Sequence, residues 1–155
     1  MPSTIHRIEA SLAEAIEQGN EVRACTLRLM LAAVRDRELE TCRGADATRV
    51  ALEGQALRDL LQRMVRQRLE AIAEYEEAGH AEIAERERAE IEVIKSFLPK
   101  PMSRDEMQQA VARAIVETQA CSIRDLGRVM GHLRSKYPGR IDFGEAGAEV
   151  KAALG

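Results

Sequence analysis

An all-α fold, a bundle of long antiparallel helices followed by a small three-helix tail, is predicted by three features of this 155-residue sequence. Aromatic residues make up only 3% of the chain and tryptophan is missing, while Ala, Leu, Glu and Arg dominate, a mixture that favours helices packed through aliphatic contacts over a sheet. Apolar residues recur at three- and four-residue intervals along most of the chain. Finally, Leu98-Pro99-Lys100-Pro101-Met102 breaks the helical pattern, because each proline removes a donor and biases its predecessor away from helical geometry. The predicted organisation is therefore a long-helix domain over 1–98, a proline linker over 99–102 and a tail over 103–155.

Ile5, Ile8, Leu12 and Ile16 define a first helix that stops at Gly19. Asn20 then caps a second helix. Its apolar positions, Val22, Cys25, Leu27, Leu29, Met30, Leu31 and Val34, leave little polar surface except at Arg23, Arg28 and Arg35, which predicts burial on two sides at the centre of the bundle. Thr41 to Thr48 reads as a turn, with Asp46 as the cap of the next helix. Leu57, Leu60, Leu61, Met64, Val65, Leu69, Ile72 and Tyr75 carry that long helix to Gly79, and Ile83, Ile91, Ile94, Phe97 and Leu98 carry the following one to Pro99.

Ser103 and Glu106 have the spacing of a capping box, and Met107, Val111, Ala114 and Ile115 line one face of the helix behind them. Ser122 and Asp125 repeat the spacing before a glycine-bearing helix. After Tyr137-Pro138-Gly139 a last helix, capped by Asp142, is predicted to bury Phe143, Ala146, Val150 and Leu154.

Charge is unevenly distributed. Residues 1–98 hold 14 Lys and Arg against 19 Asp and Glu, a net −5, whereas residues 99–155 hold 9 against 7, a net +2. Between 124 and 140, Arg124, Arg128, Arg134, Lys136 and Arg140 oppose only Asp125, a local excess of 5 − 1 = +4. No apolar run reaches the length of a membrane span and the N-terminus lacks the blocks of a secretion signal, so a cytoplasmic protein without membrane contact is expected. Cys25, Cys42 and Cys121 form no Cys-x-x-Cys pair; Cys25 is expected as a small core residue and the other two as thiols near helix ends. His6, His80 and His132 are too scattered for metal ligation.

At about 100° per residue, Ile123, Leu126, Val129, Met130 and Leu133 share one side of the glycine-bearing helix, and Arg124, Gly127, Arg128, Gly131 and Ser135 the other. Two glycines inside a helix cost about 2 kcal/mol against alanine, so close approach of something to that backbone is implied. A phosphate backbone and a neighbouring helix both qualify at this point.

Four stretches together carry a resemblance: Thr26 to Glu38, Val65-Arg66-Gln67-Arg68 continuing to Tyr75-Glu76-Glu77-Ala78-Gly79, Glu90 to Ile94 leading to Phe97-Leu98-Pro99, and Asp125 to Gly131. In these the chain resembles the GatB/YqeY family of bacterial proteins over essentially its full length. The resemblance implies a free-standing relative of the C-terminal helical and tail domains of GatB, a subunit of the tRNA-dependent amidotransferase, a carbon-nitrogen ligase with glutamine as amido donor. The family's glycine motif falls on Gly127, Arg128 and Gly131, and more loosely on Lys136, Gly139 and Arg140. His80 stands where relatives often carry a basic residue, and Tyr137-Pro138-Gly139 is bulkier than the family's lysine-rich turn.

Catalytic chemistry has little to work with. Nine glutamates lie between 70 and 92, with Glu87, Glu90 and Glu92 the first place to look for Mg²⁺ or acid-base work, yet interspersed Arg86 and Arg88 fit a solvated face. Arg58, Arg63, Arg66 and Arg68 form a second positive cluster, read as pairing with glutamates such as Glu70 along the helix. No nucleophile elbow or phosphate-cradling loop is present, and no metal or cofactor is called for. The sequence thus points to a tRNA-binding accessory without catalysis of its own, using Arg124, Gly127, Arg128, Gly131, Arg134, Lys136, Gly139 and Arg140, with an amidotransferase or another protein as a further partner. The alternative is a protein adaptor whose long helices bind a partner and whose tail glycines serve internal packing.

Overall fold

The computed structural model describes residues 1–42 and 50–155. Their regular structure is all helical: α1 (Thr4–Glu17), α2 (Glu21–Thr41), α3 (Gly54–Glu77), α4 (Ala81–Lys95), α5 (Arg104–Thr118), a 3₁₀ turn (Ile123–Asp125), α6 (Leu126–Lys136) and α7 (Phe143–Leu154). The chain divides into two compact units, Met1–Leu98 and Pro99–Gly155.

The joints of the first unit follow from local chemistry. Gly19, at φ +69°, lets the N–H of Asn20 turn back to the carbonyl of Ala15 at 2.8 Å, satisfying an end of α1 that has no partner within the helix. Asn20 then accepts from the N–H of Arg23 at 3.1 Å and starts α2. Gly79, at φ +80°, closes α3 in the same way, with His80 N–H on the Tyr75 carbonyl at 2.8 Å. The expected turn around Gly44 and the cap at Asp46 lie outside the described residues.

Ile8, Ala24, Leu27, Met30, Leu61, Ala84 and Ile94 form the centre of the first core. α2 packs against α1, α3 and α4, as a central helix should. Its neighbours among the described residues nevertheless cover one side only, that of Ala24, Leu27, Met30, Val34 and Glu38, and leave the expected second buried side open. Val22 and Leu29 are 64% and 46% exposed. Cys25 is exposed too, so it is not the core residue its apolar surroundings suggested. Ile16 and Leu69 likewise point outward at the edges of their stripes. Glu38 is buried among these apolar groups, where its carboxylate accepts from the N–H of Leu52 at 3.0 Å and ties the chain entering α3 to the end of α2.

Arginine pairing on α3 differs from expectation. Rather than bonding along the helix, Arg68 reaches to Glu90 of α4 at 3.0 Å, while Arg63 and Arg66 have no carboxylate in ion-pair range among the described residues. The cause is geometric: α3 and α4 are packed along each other, and a carboxylate across that seam is held closer than an exposed one on the same helix. Because both partners are largely screened from water, Arg68→Ala is expected to cost about 1–2 kcal/mol in urea unfolding. The double variant with Glu90→Ala should lose less than the sum of the singles, and strictly additive losses would show that the pair does not link the helices.

Candidate nucleic-acid interface

The second unit is built on Val129 and Leu133 of α6, both fully buried against Met107, Ala110, Val111 and Ala114 of α5 and Ala146 and Val150 of α7. The capping box at Ser103 forms, with Glu106 N–H on the Ser103 hydroxyl at 3.2 Å and the Glu106 carboxylate accepting from Ser103 N–H at 3.0 Å. Before α6 the chain makes a 3₁₀ turn instead of a helical one, and its tighter winding carries Ile123 off the predicted stripe to 51% exposure.

With that stripe facing inward, the glycine side faces out. Gly127 and Gly131 are exposed, and among the described residues no heavy atom beyond the chain neighbours and the surrounding helix backbone lies within 4 Å of where a Cβ would stand on either. Within the second unit, among the described residues, no neighbouring helix is packed against these glycines. Arg124 in the 3₁₀ turn and Arg128 and Arg134 on α6 are exposed, and Arg124 has no carboxylate in ion-pair range among the described residues. Arg128 lies 3.3 Å from Asp125, in a pair whose arginine is 57% exposed. Arg134 lies over the ring of Phe143 at 4.5 Å from its centroid.

Three of the eight predicted residues are placed elsewhere. Lys136 stands about 140° around the helix from Gly131, and its ammonium meets Glu117 of α5 at 3.0 Å. His132 shares that carboxylate at 2.5 Å, and these two partners, Lys136 foremost, hold the Glu117 carboxyl below the usual carboxylate range. Gly139 takes φ +76° in the turn after α6. Arg140 donates to the carbonyl of Lys100 at 3.0 Å and lies 3.7 Å from Glu106, so its guanidinium is engaged inside the unit.

Sequence reasoning missed Phe143. Its spacing from Ala146, Val150 and Leu154 placed it on the buried stripe, but as the first residue of α7 it lies beyond the packed turns and is 47% exposed. The one available signal is its position directly behind the Asp142 cap, whose carboxylate accepts from Glu145 N–H at 3.1 Å.

Asp125 anchors the start of this surface. Its carboxylate accepts from the N–H of Cys121 at 2.9 Å and of Ser122 at 3.3 Å; these bonds, the Cys121 one first, hold the carboxyl below its ordinary value. An acid whose folded value is depressed stabilises above its unfolded value, about 3.9, and that stability is lost as pH falls through the lower folded value. Asp125→Asn is therefore expected to lower helical stability at neutral pH, with the difference from the parent closing below about pH 4. Melting followed by circular dichroism across an acid series checks this; a gap that stays constant with pH would exclude the carboxylate as its source.

The acidic run offers no comparable site. Glu90 is engaged by Arg68, Glu92 is exposed, and Glu87 is raised by burial first and by the neighbouring Glu90 second. Among the described residues no three His, Cys, Asp or Glu side chains gather to hold a metal ion, and no helix is long and apolar enough to cross a membrane.

Compared with known protein families, residues 5–154 match the family described as Yqey-like protein. The chain belongs to that family. The Yqey-like region runs from α1 to α7 and so takes in both compact units and the glycine face. Among curated proteins, it is 28% identical over 95 residues, 61% of its length, to "Altered inheritance of mitochondria protein 41, mitochondrial" of Lachancea thermotolerans. The match covers 48% of that protein, so the Yqey-like chain spans about half the length of this relative.

Proposed function

We propose that this Yqey-like chain is a tRNA-binding accessory, working in the sphere of glutamine-dependent amidation of tRNA-bound amino acids and carrying no catalytic site of its own. The observation that carries the reading is the uncovered backbone at Gly127 and Gly131, flanked by Arg124, Arg128 and Arg134. Glycine in a helix is costly unless its lack of a side chain is used, and inside the second unit nothing uses it. A phosphate strand is thin enough to approach such a backbone, and arginine offers it two parallel donors. The exposed Arg128–Asp125 pair does not prevent this, since a surface ion pair is worth at most about 1 kcal/mol and exchanges readily.

With three arginines on phosphates, the logarithm of tRNA affinity should fall against the logarithm of salt with a slope of about −2 to −3. Filter retention of labelled tRNA over a salt series measures it. No retention at low salt, or affinity indifferent to salt, would remove the tail from consideration.

A second reading has its own observation. Val22, Cys25, Leu29, Ala32 and Leu39 recur along the outward side of α2, all exposed, as an apolar stripe suited to a protein partner's helix. An adaptor of this kind predicts a protein complex that survives nuclease and is lost with Leu29→Glu, while tRNA retention by the chain alone is absent.

A further inference from the structure

We infer that Arg134 and Phe143 form a stacking platform for the base of an unpaired nucleotide, which directs the tail to loops or single-stranded ends of RNA and not to a continuous duplex. This rests on the tail reading above and specifies what that surface recognises.

The chain has two phenylalanines, two tyrosines and no tryptophan. Phe97 is buried at 7% exposure, Tyr75 packs against the first core and Tyr137 against the second. Phe143 alone among these is left largely in water, at 47% exposure, although burying an aromatic ring is among the larger apolar gains open to a fold. The planar guanidinium of Arg134 lies over it, centred 4.5 Å from the ring centroid. Arg134 is itself exposed and has no carboxylate in ion-pair range among the described residues. An arginine lying over a ring offers a planar, cationic group of the kind on which bases stack in single-stranded RNA recognition.

Arg134 follows Gly131 by three residues and Gly127 by seven, so the three stand one above another along α6, with a rise of about 10 Å from first to last. A strand whose phosphates pass over the two glycines reaches the platform at the C-terminal end of that row. Bases in a duplex face inward and are already stacked, so only a nucleotide free to turn its base outward can use Phe143.

The test uses the full chain, fluorescence anisotropy and two defined RNAs: a hairpin with an open loop, and a blunt duplex of equal phosphate number. Phe143→Ala should weaken hairpin binding about tenfold, within the range found when a stacking aromatic is removed, and leave duplex binding unchanged. The salt slope for the hairpin should stay as in the parent, because no phosphate contact is lost. Phe143→Leu, which keeps an apolar side chain of similar bulk without the π face, should behave like Phe143→Ala even where the alanine variant melts early, and Phe143→Tyr should bind as the parent does. Arg134→Lys keeps the charge but not the plane and should also weaken hairpin binding selectively. Parent-like hairpin affinity in Phe143→Leu, or an equal loss on both RNAs, overturns the platform while leaving the tail reading standing. If the parent chain binds neither RNA, the tail reading fails and takes the platform with it.

Discussion

Replacing Arg124, Arg128 and Arg134 together by glutamate is expected to lower tRNA affinity about 10²-fold near physiological salt and to flatten the salt slope by about 2 to 3. Each arginine that neutralises a phosphate releases condensed counterions, and three such contacts near 0.15 M salt amount to about two powers of ten. All three side chains are exposed and outside both cores, so the fold should survive, which a far-ultraviolet spectrum and a melt will verify. Lys136→Glu is the discriminating control. It changes the same charge on the same helix, yet it lies on the flank that meets Glu117 and should leave the salt slope nearly as it was. A triple variant that binds like the parent would show that the arginine side of α6 is not where RNA sits.

Gly127→Ala combined with Gly131→Ala should give a tail that is about 1–2 kcal/mol more stable and binds tRNA less tightly. The stability gain follows from helix propensity, about 1 kcal/mol per glycine in a helix interior, with no clash to offset it because both Cβ positions are open. The binding loss follows from two methyl groups standing where a phosphate strand would touch the backbone. Thermal melting and tRNA retention on the same preparation read both effects. A more stable variant with undiminished binding would show that close approach is unnecessary, and a less stable one would reveal a packing demand at these positions.

Much of the fold was legible because helix ends announce themselves through short-range chemistry. Gly19, Asn20, Gly79, Ser103 and Asp142 each act on a backbone group within a few residues, so sequence spacing suffices to find them. What stayed hidden depends on neighbours distant in sequence. α2 is apolar nearly all round, and periodicity could not say that its partners would cover only the side of Leu27 and Met30 and leave Cys25 and Leu29 in water. Arg68 chose Glu90, 22 residues away, over carboxylates on its own helix. At the candidate site the outward placement of Gly127, Arg128 and Gly131 on α6 was readable from 100° steps alone. The engagements of Lys136 with Glu117 and of Arg140 with Lys100 and Glu106 were not, since each partner comes from before α6 and is brought near only by folding. Phe143 was misplaced for a related reason: a stripe continues in sequence past the point where anything remains to pack against it.

The Arg140–Lys100 bond has a practical corollary for anyone dissecting the molecule. The carbonyl of Arg140 in turn accepts from Met102 N–H at 3.0 Å, so Lys100 and Met102, on either side of Pro101, are buckled to the turn after α6 by a reciprocal pair. Expression of the tail in isolation should accordingly begin at Pro99, where the strap is kept, and not at Ser103, where excision would unfasten the loop that leads into α7.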